Sequence, residues 1–463
     1  MLWAIAGKEI RTNVVSSRFI ILSFLCIGLF VVTAFTVFQE MRLGYEEYNN
    51  NVAGHKEAMM SEPSLVTLAA VSGVKVDRRP EPLSFIAKGI EVARSRIYRV
   101  TSYDVTPVGG SDLERNPIIS LSGPLDFLYL FQAVLSLLAF LLVCDALSGE
   151  KQAGTLKLLI AHNVPRHTIL LGKFLGNYIT LLIPLLISVL LIGVIISFYS
   201  FHSFSPDDWR RIAMIFALSA IYLAVVLEVG LLISSVTKRP PLSFLVSIVA
   251  WVVLVIAIPR LAFHLGATVA PPPSVAALQN QMRAITNEAD MKAFWEIRQY
   301  IEENNQPPPK QWLEELSRRV MAENNAKKAK LQQEFDRRLT RTFRISRILS
   351  RLSPSSSYAF AMQEMAGTGF NDDLRFKRAL AAFKERFAQY MEMRMKGMGS
   401  DVEANLPQVG KKLDLTGIPT FNYRRASFAE AMRNIGLDLS MPLIFGVFFF
   451  LAAHLFFLRY DAR

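Results

Sequence analysis

Residues 19–38 read FIILSFLCIGLFVVTAFTVF, a run of 20 positions without a charge. An α-helix rises about 1.5 Å per residue, so such a run spans the roughly 30 Å of hydrocarbon in a bilayer. No water is available there, and a helix satisfies its own backbone hydrogen bonds. Working outward, comparable runs occupy 124–147, 174–199, 211–236, 242–263 and 439–458. With 52% hydrophobic and only 19% charged residues in 463, the chain carries more apolar surface than a soluble core absorbs. The expected fold is an all-α polytopic membrane protein with six transmembrane helices. Two insertions, 39–123 and 264–438, interrupt them, the first small and mixed α/β, the second mainly helical.

Lys8, Arg11 and Arg18 precede the first run, as in a signal peptide, but its apolar stretch is too long and no small-residue cleavage site closes it. It reads as a retained anchor. Upstream, Trp3, Ala6, Ile10 and Val14 recur at helical spacing, which suits an interfacial helix over 1–18; a frayed tail is the alternative. Lys and Arg in short loops mark the cytoplasmic side. They cluster before the first span, at Lys151, Lys157, Arg166 and Lys173 in 148–173, at Lys238 and Arg239, and at Arg459 and Arg463 in the tail 459–463. Both termini are therefore expected in the cytoplasm of a cell inner (plasma) membrane, and both insertions outside.

Membrane orientation and a basic exterior account for much of the net charge of +12, and no nucleic-acid motif accompanies it. Cys26 and Cys144, the only cysteines, fall in expected spans, so the insertions are held without disulfides.

The first insertion opens with polar, loosely structured sequence, then reads as a turn, a short helix over 82–93 and a strand over 97–105. In the second, prolines 271–273 lead into a helix ending near residue 303; NNQPPP breaks it, and a second helix runs over 310–351. Two antiparallel helices projecting from the membrane fit; shorter helices folded flat over the spans are the alternative. A further helix over 372–395 ends in Met391, Met393, Met395 and Met398. Thioethers can hold Cu(I), but three of these share a face, as in ordinary apolar packing.

No phosphate-binding loop, zinc motif or paired-cysteine spacing appears, and the six histidines are scattered. An intramembrane protease would need a nucleophile and base that the spans do not assemble. Glu228 is the one clear acid deep in a span, either lining a pathway or satisfied at a subunit interface. Pro184 is expected to kink the third span, and Pro259–Arg260 to end the fifth.

The segment 145–173 combines Glu150, a Gly154–Thr155 break, a short apolar helix over 156–161, Pro165–Arg166 and Gly172–Lys173. It is either an ordinary connection or a compact lever between two spans. Together with Lys8–Glu9, the 233–236 sequence Ile-Ser-Ser-Val and the carboxy-terminal FLRYDAR, it resembles the permease subunits of type-2 ABC exporters over all six spans. The resemblance implies a dimer of permease subunits, identical or related, each docked on a cytoplasmic ABC ATPase. That ATPase would bind ATP and Mg, leaving this chain without a cofactor or enzymatic activity of its own. It further implies that Lys8, Glu9, Glu150, Gly154, Thr155, Leu156, Leu159, Pro165 and Arg166 carry the coupling. Outer insertions this large look like the subgroup of permeases associated with multicopper-enzyme maturation. Membrane lipid and an extracytoplasmic protein are the other partners expected.

Overall fold

The computed structural model describes residues 1–111, 125–162, 164–198, 204–397 and 413–460. Helix α1 (Leu2–Val15) precedes α2 (Ser17–Met60), joined at Ser16, whose hydroxyl caps α2 by accepting the Phe19 N–H. Then come α3 (Phe127–Ala153), α4 (Thr155–Ala161), α5 (Arg166–Ser197), α6 (Pro206–Val236) and α7 (Pro240–Val269). The second insertion contributes α8 (Val275–Asn304), α9 (Lys310–Ser350), α10 (Pro354–Ala366) and α11 (Phe370–Gly397), and α12 (Phe428–Leu458) ends the described chain. Among the described residues, helices α2, α3, α5, α6, α7 and α12 are the six long and apolar enough to cross a membrane. The protein is an all-α polytopic membrane protein with a small sheet in its first insertion.

Two spans are not regular α-helices. α3 passes through a π-helical segment at Leu130–Leu135, and α7 through another at Val252–Ala257. Such segments leave carbonyls without their usual partner, and in hydrocarbon these need a donor. The N-cap of α10 and α6 each supply one donor, and α10 accepts a bond in return. The Ser353 hydroxyl, at its N-cap, donates to the Leu254 carbonyl, and Gln132 donates to the Ser355 hydroxyl at 2.6 Å. Tyr222 of α6 donates to the Gln132 carbonyl at 3.0 Å, while its ring stacks on Tyr358 of α10 at 4.5 Å. α10 is thus buried at the insertion-side end of the spans, pinned to α3, α6 and α7.

Several expectations are corrected. Residues 39–60 are not loose: α2 runs unbroken for 44 residues, about 66 Å, because Met41, Gly44 and Tyr45 pack while the acids and asparagines face solvent. No α-helix forms over 82–93; turns and a single 3-10 turn at Glu91–Ala93 replace it, since the segment is buried by neighbours on every side. The strand expected over 97–105 is two strands of an antiparallel meander, β1 (Val74–Asp77), β2 (Ile97–Val100) and β3 (Val105–Pro107). Pro259–Arg260 does not end the fifth span; α7 continues to Val269, the missing proline N–H being absorbed beside the π segment. Pro184, where a kink is expected, lies inside the continuous helix α5.

The two insertions pack on each other. One face of the sheet, Val76, Tyr98 and Val100, meets the stripe Phe376, Leu380 and Phe383 of α11. Arg78 and Arg94 reach Asp372 and Asp373 at the start of α11, where the helix dipole also favours acids. Arg425 joins this cluster to Glu81 and to Asp208 of α6. Burial, and then the charge of Asp372, hold Glu81 above the usual carboxylate range. Met391 packs fully buried with Leu65, Leu68 and Phe387, Met395 packs against the same cluster, and Met393 points to solvent; Met398 lies outside the described residues.

α8 and α9 form an antiparallel hairpin, its ion pairs Glu288–Lys327, Lys292–Glu323 and Glu296–Arg319 running in opposite chain directions. The foot of α9 is fixed. Ser346 packs where a Cβ on Gly266 of α7 would clash, Thr342 donates to the Ala270 carbonyl, and Arg347 and Arg351 both pair with the buried Asp438 of α12.

Candidate coupling site

At the end of the bundle opposite the insertions, the turn between α3 and α5 gathers groups from four other helices. α3 is broken at residues 144–147, which frees two N–H groups. Ser234 of α6 accepts both, from Leu147 at 3.0 Å and Ser148 at 3.1 Å, and Ser243 of α7 donates to the Cys144 carbonyl. The Ile-Ser-Ser-Val sequence at 233–236 therefore has a mechanical role: it clamps the base of the loop.

From that base three cations and one acid reach outward. Glu150 accepts from Lys8 of α1 at 3.0 Å and pairs with Lys173 of α5 at 3.0 Å; Lys173 also donates to Glu9 at 2.8 Å. Lys173 is almost fully buried, so its charge is held by these two carboxylates. The hydrogen bond to Glu150, opposed by desolvation, raises the Lys8 pKa above its ordinary value. Lys151 donates to the carbonyls of Ser234 (3.1 Å), Ser235 and Thr237 (3.0 Å), capping the C-terminus of α6. Arg166 does the same for α12, reaching the Phe457 and Leu458 carbonyls at 2.7 Å and that of Tyr460 at 3.0 Å.

α1 crosses α5 at small residues. A Cβ on Gly176 would lie 2.6 Å from the Glu9 Cβ, and one on Gly172 would lie 2.8 Å from the Ile5 Cβ. The face that packs is Leu2, Ile5, Ala6, Glu9 and Asn13, the last bonded to Asn177 at 2.9 Å. The stripe Trp3, Ala6, Ile10 and Val14 is a different face: Ala6 packs against α5 and Ile10 is half-buried, whereas Trp3 is 71% exposed and Val14 is exposed, free of protein contact as a face meeting the membrane interface would be. Two glycines and two ion pairs choose the face that packs on α5.

Gly154 sits at φ +74° and breaks the path between α3 and α4. No atom would contact an added Cβ, so only backbone strain opposes a side chain there. Gly154→Ala is expected to cost about 1–2 kcal/mol locally. Amide exchange along α4 should then quicken roughly 5- to 30-fold, read by mass spectrometry, with the spans unchanged.

Leu156 of α4 is fully buried and Leu159 half-buried, whereas Leu158 is 62% exposed beside exposed Thr155, Ala161 and His162. Pro165 starts the turn into α5. Of the residues expected to act here, Lys8, Glu9 and Glu150 come together around Lys173. Arg166 is spent on α12, and Gly154, Thr155, Leu156 and Leu159 belong to the short helix itself. Lys173, quoted with Gly172 in the motif, and Lys151, read only as a mark of the cytoplasmic side, were not expected among the coupling residues; the structure places both in the cluster. Glu228 lies elsewhere, past the middle of α6 and about two turns before its C-terminal end, against Gly446 of α12, where a Cβ would sit 2.8 Å from its Oε2. Its Oε2 has no hydrogen-bond partner among the described residues.

No curated protein matches the chain. The model of the family described as ABC-2 family transporter protein matches residues 3–461, and the chain belongs to that family as a multi-pass membrane protein of the permease kind.

Proposed function

We propose that this chain is the transmembrane subunit of an ATP-binding cassette exporter, with a separate cytoplasmic ATPase docking on α4 and α1. The reading rests above all on the loop at 148–166. α4 offers an exposed Leu158 on a helix of two turns, and the residues flanking it grip α1, α5, α6 and α12 through Glu150, Lys151 and Arg166. A push on α4 is therefore delivered to four helices at once. ATP and Mg belong to the partner, and the chain pairs with a second, identical or related, permease subunit. Its transported substrate is unidentified; Glu228, whose Oε2 has no partner among the described residues, either lines a path or is satisfied at the subunit interface. The large insertions liken it to the permeases associated with multicopper-enzyme maturation.

A second reading, mechanical transmission to an extracytoplasmic partner, is favoured by one observation. α9, about 60 Å long, is anchored at its foot to α7 and α12 rather than hanging from a flexible linker.

Leu158→Asp places a charge at the docking face without touching the ion cluster. It should cut the ATPase activity that co-purifies with the permease at least about tenfold, as loss of a central apolar contact does. Undiminished co-purification would sink the reading. Sidedness is tested in parallel with single cysteines at positions 157 and 330. An impermeant thiol reagent applied to intact cells should label only the second, the native Cys26 and Cys144 being buried.

A further inference from the structure

The foot of α9 changes character along one face. Arg337, Arg341 and Arg344 are exposed at helical spacing, and the same face continues into Ile348 and Leu352, which are 57% and 67% exposed. Arg338 beside them pairs with Glu334, but none of the three arginines has an acidic partner among the described residues. Ile348 and Leu352 adjoin the exposed Leu265 and Val269 of α7, and a contiguous apolar patch of this kind suits a non-aqueous neighbour.

The height of that base relative to the membrane follows from α12. Its uncharged stretch covers 439–458, one hydrocarbon thickness, so Asp438 stands at the boundary on the insertion side. Arg347 and Arg351 bind Asp438 and set the foot of α9 at the same level. Ile348 and Leu352 then meet the edge of the acyl chains. Arg344 and Arg341 rise about 6 and 10 Å above Ile348, which is the headgroup layer and its surface. α7 agrees: its exposed Leu265 and Val269 flank Gly266 and Ala270, which pack on Ser346 and Thr342.

We propose that this face of α9 is a docking site for anionic phospholipid headgroups of the leaflet facing the insertions. Arg341 and Arg344 hold the phosphate, Arg337 adds long-range attraction, and Ile348 and Leu352 lie against the acyl chains. Arginine suits the task because its planar fork donates two hydrogen bonds to a phosphate and keeps its charge at a low-dielectric boundary. The site steadies the foot of the outer hairpin on the bilayer. It does not depend on ATPase coupling, and its test does not involve ATP.

The test uses the full chain in nanodiscs with a fluorophore on a cysteine introduced at position 340. Quenching is compared between nitroxide-headgroup phosphatidylglycerol and the matching phosphatidylcholine. A preference of about fivefold or more for the anionic lipid is expected, falling as salt rises. R341Q/R344Q should abolish the preference, and R341K/R344K should keep most of it, with thermal melting showing that both variants fold. Equal quenching by the two lipids in the unaltered protein would overturn the proposal. So would an unchanged preference in the glutamine variant, or complete displacement of phosphatidylglycerol by millimolar inorganic phosphate, which would make the site one for the free anion.

Discussion

Gly176→Leu is expected to uncouple the permease from its ATPase while leaving the six spans folded. The α1–α5 crossing has no room for a side chain at this position: a Cβ would lie 2.6 Å from the Glu9 Cβ and 2.8 Å from the Ala6 carbonyl. The Ala6 carbonyl belongs to a helix backbone and cannot yield alone, so α1 must move as a body. Overpacking of this kind costs about 1–3 kcal/mol. At about 1.4 kcal/mol per factor of ten, the docked population of α1 falls roughly 5- to 150-fold. Lys173, buried and held by Glu9 at 2.8 Å, then loses one of its two carboxylates. Trypsin cleavage at Arg11 should accelerate about tenfold or more, and ATPase activity in the reconstituted complex should lose its dependence on the permease. Gly172→Ala probes the same seam with a smaller side chain, its Cβ meeting the Ile5 Cβ and Cγ2 at 2.8 Å. If α1 is released and coupled ATPase activity is undiminished, the amino-terminal helix has no part in coupling.

The six spans were legible because a run such as 19–38 has one cheap solution in hydrocarbon, a helix, whatever its neighbours do. What polar sequence does outside the membrane depends on neighbours far along the chain. EEYNNN at 46–51 reads as a loop by composition, yet it continues α2 because Met41 and Tyr45 below it are clasped by the loop around Pro80. PSSSYAFAM at 354–362 has a proline and three serines, poor helix formers in isolation. It becomes α10 because Ser353 caps it and because Tyr222, Gln132 and Leu254 bury it. The π segments of α3 and α7 left no trace in sequence; their carbonyls at Gln132 and Leu254 are met by the hydroxyls of Tyr222 and Ser353, which lie 90 and 99 residues further along the chain. The hairpin was readable from NNQPPP between two charged helical runs.

Of the coupling site, the loop was visible as a motif, but the partners of Glu150 were not. Lys8 is 142 residues away and no local pattern links them. The roles of Lys151 and Arg166 were hidden for a different reason. Each caps a helix whose end is set by membrane thickness, so the carbonyls they meet are defined only once α6 and α12 are in place.

Asp438→Asn is expected to detach the foot of the outer hairpin. Asp438 is fully buried, accepts from the Arg351 Nε at 2.7 Å and from Arg347, and holds α9 against α12. An asparagine keeps the shape and removes the charge, leaving two mostly buried guanidinium groups without it. Removing one partner of a buried ion pair costs about 3–5 kcal/mol, because the remaining charge stays desolvated. Replacing all three, with Arg347→Met, Arg351→Met and Asp438→Leu, removes that penalty, and stability should return to the native value or rise by about 1–4 kcal/mol. Thermal melting and trypsin cleavage near Arg351 read both outcomes. α12 also joins the two ends of the molecule, with its last carbonyls held by Arg166 and Asp438 about 30 Å away along the helix. It can act as a push-rod from the lever to the hairpin. Spin labels on α4 and near Lys327 should show an ATP-dependent distance change in the native complex, and Asp438→Asn should abolish it although the lever still binds the ATPase. A distance change that survives the substitution would mean that the hairpin is driven through α7 instead, by its packing at Gly266 and Ser346.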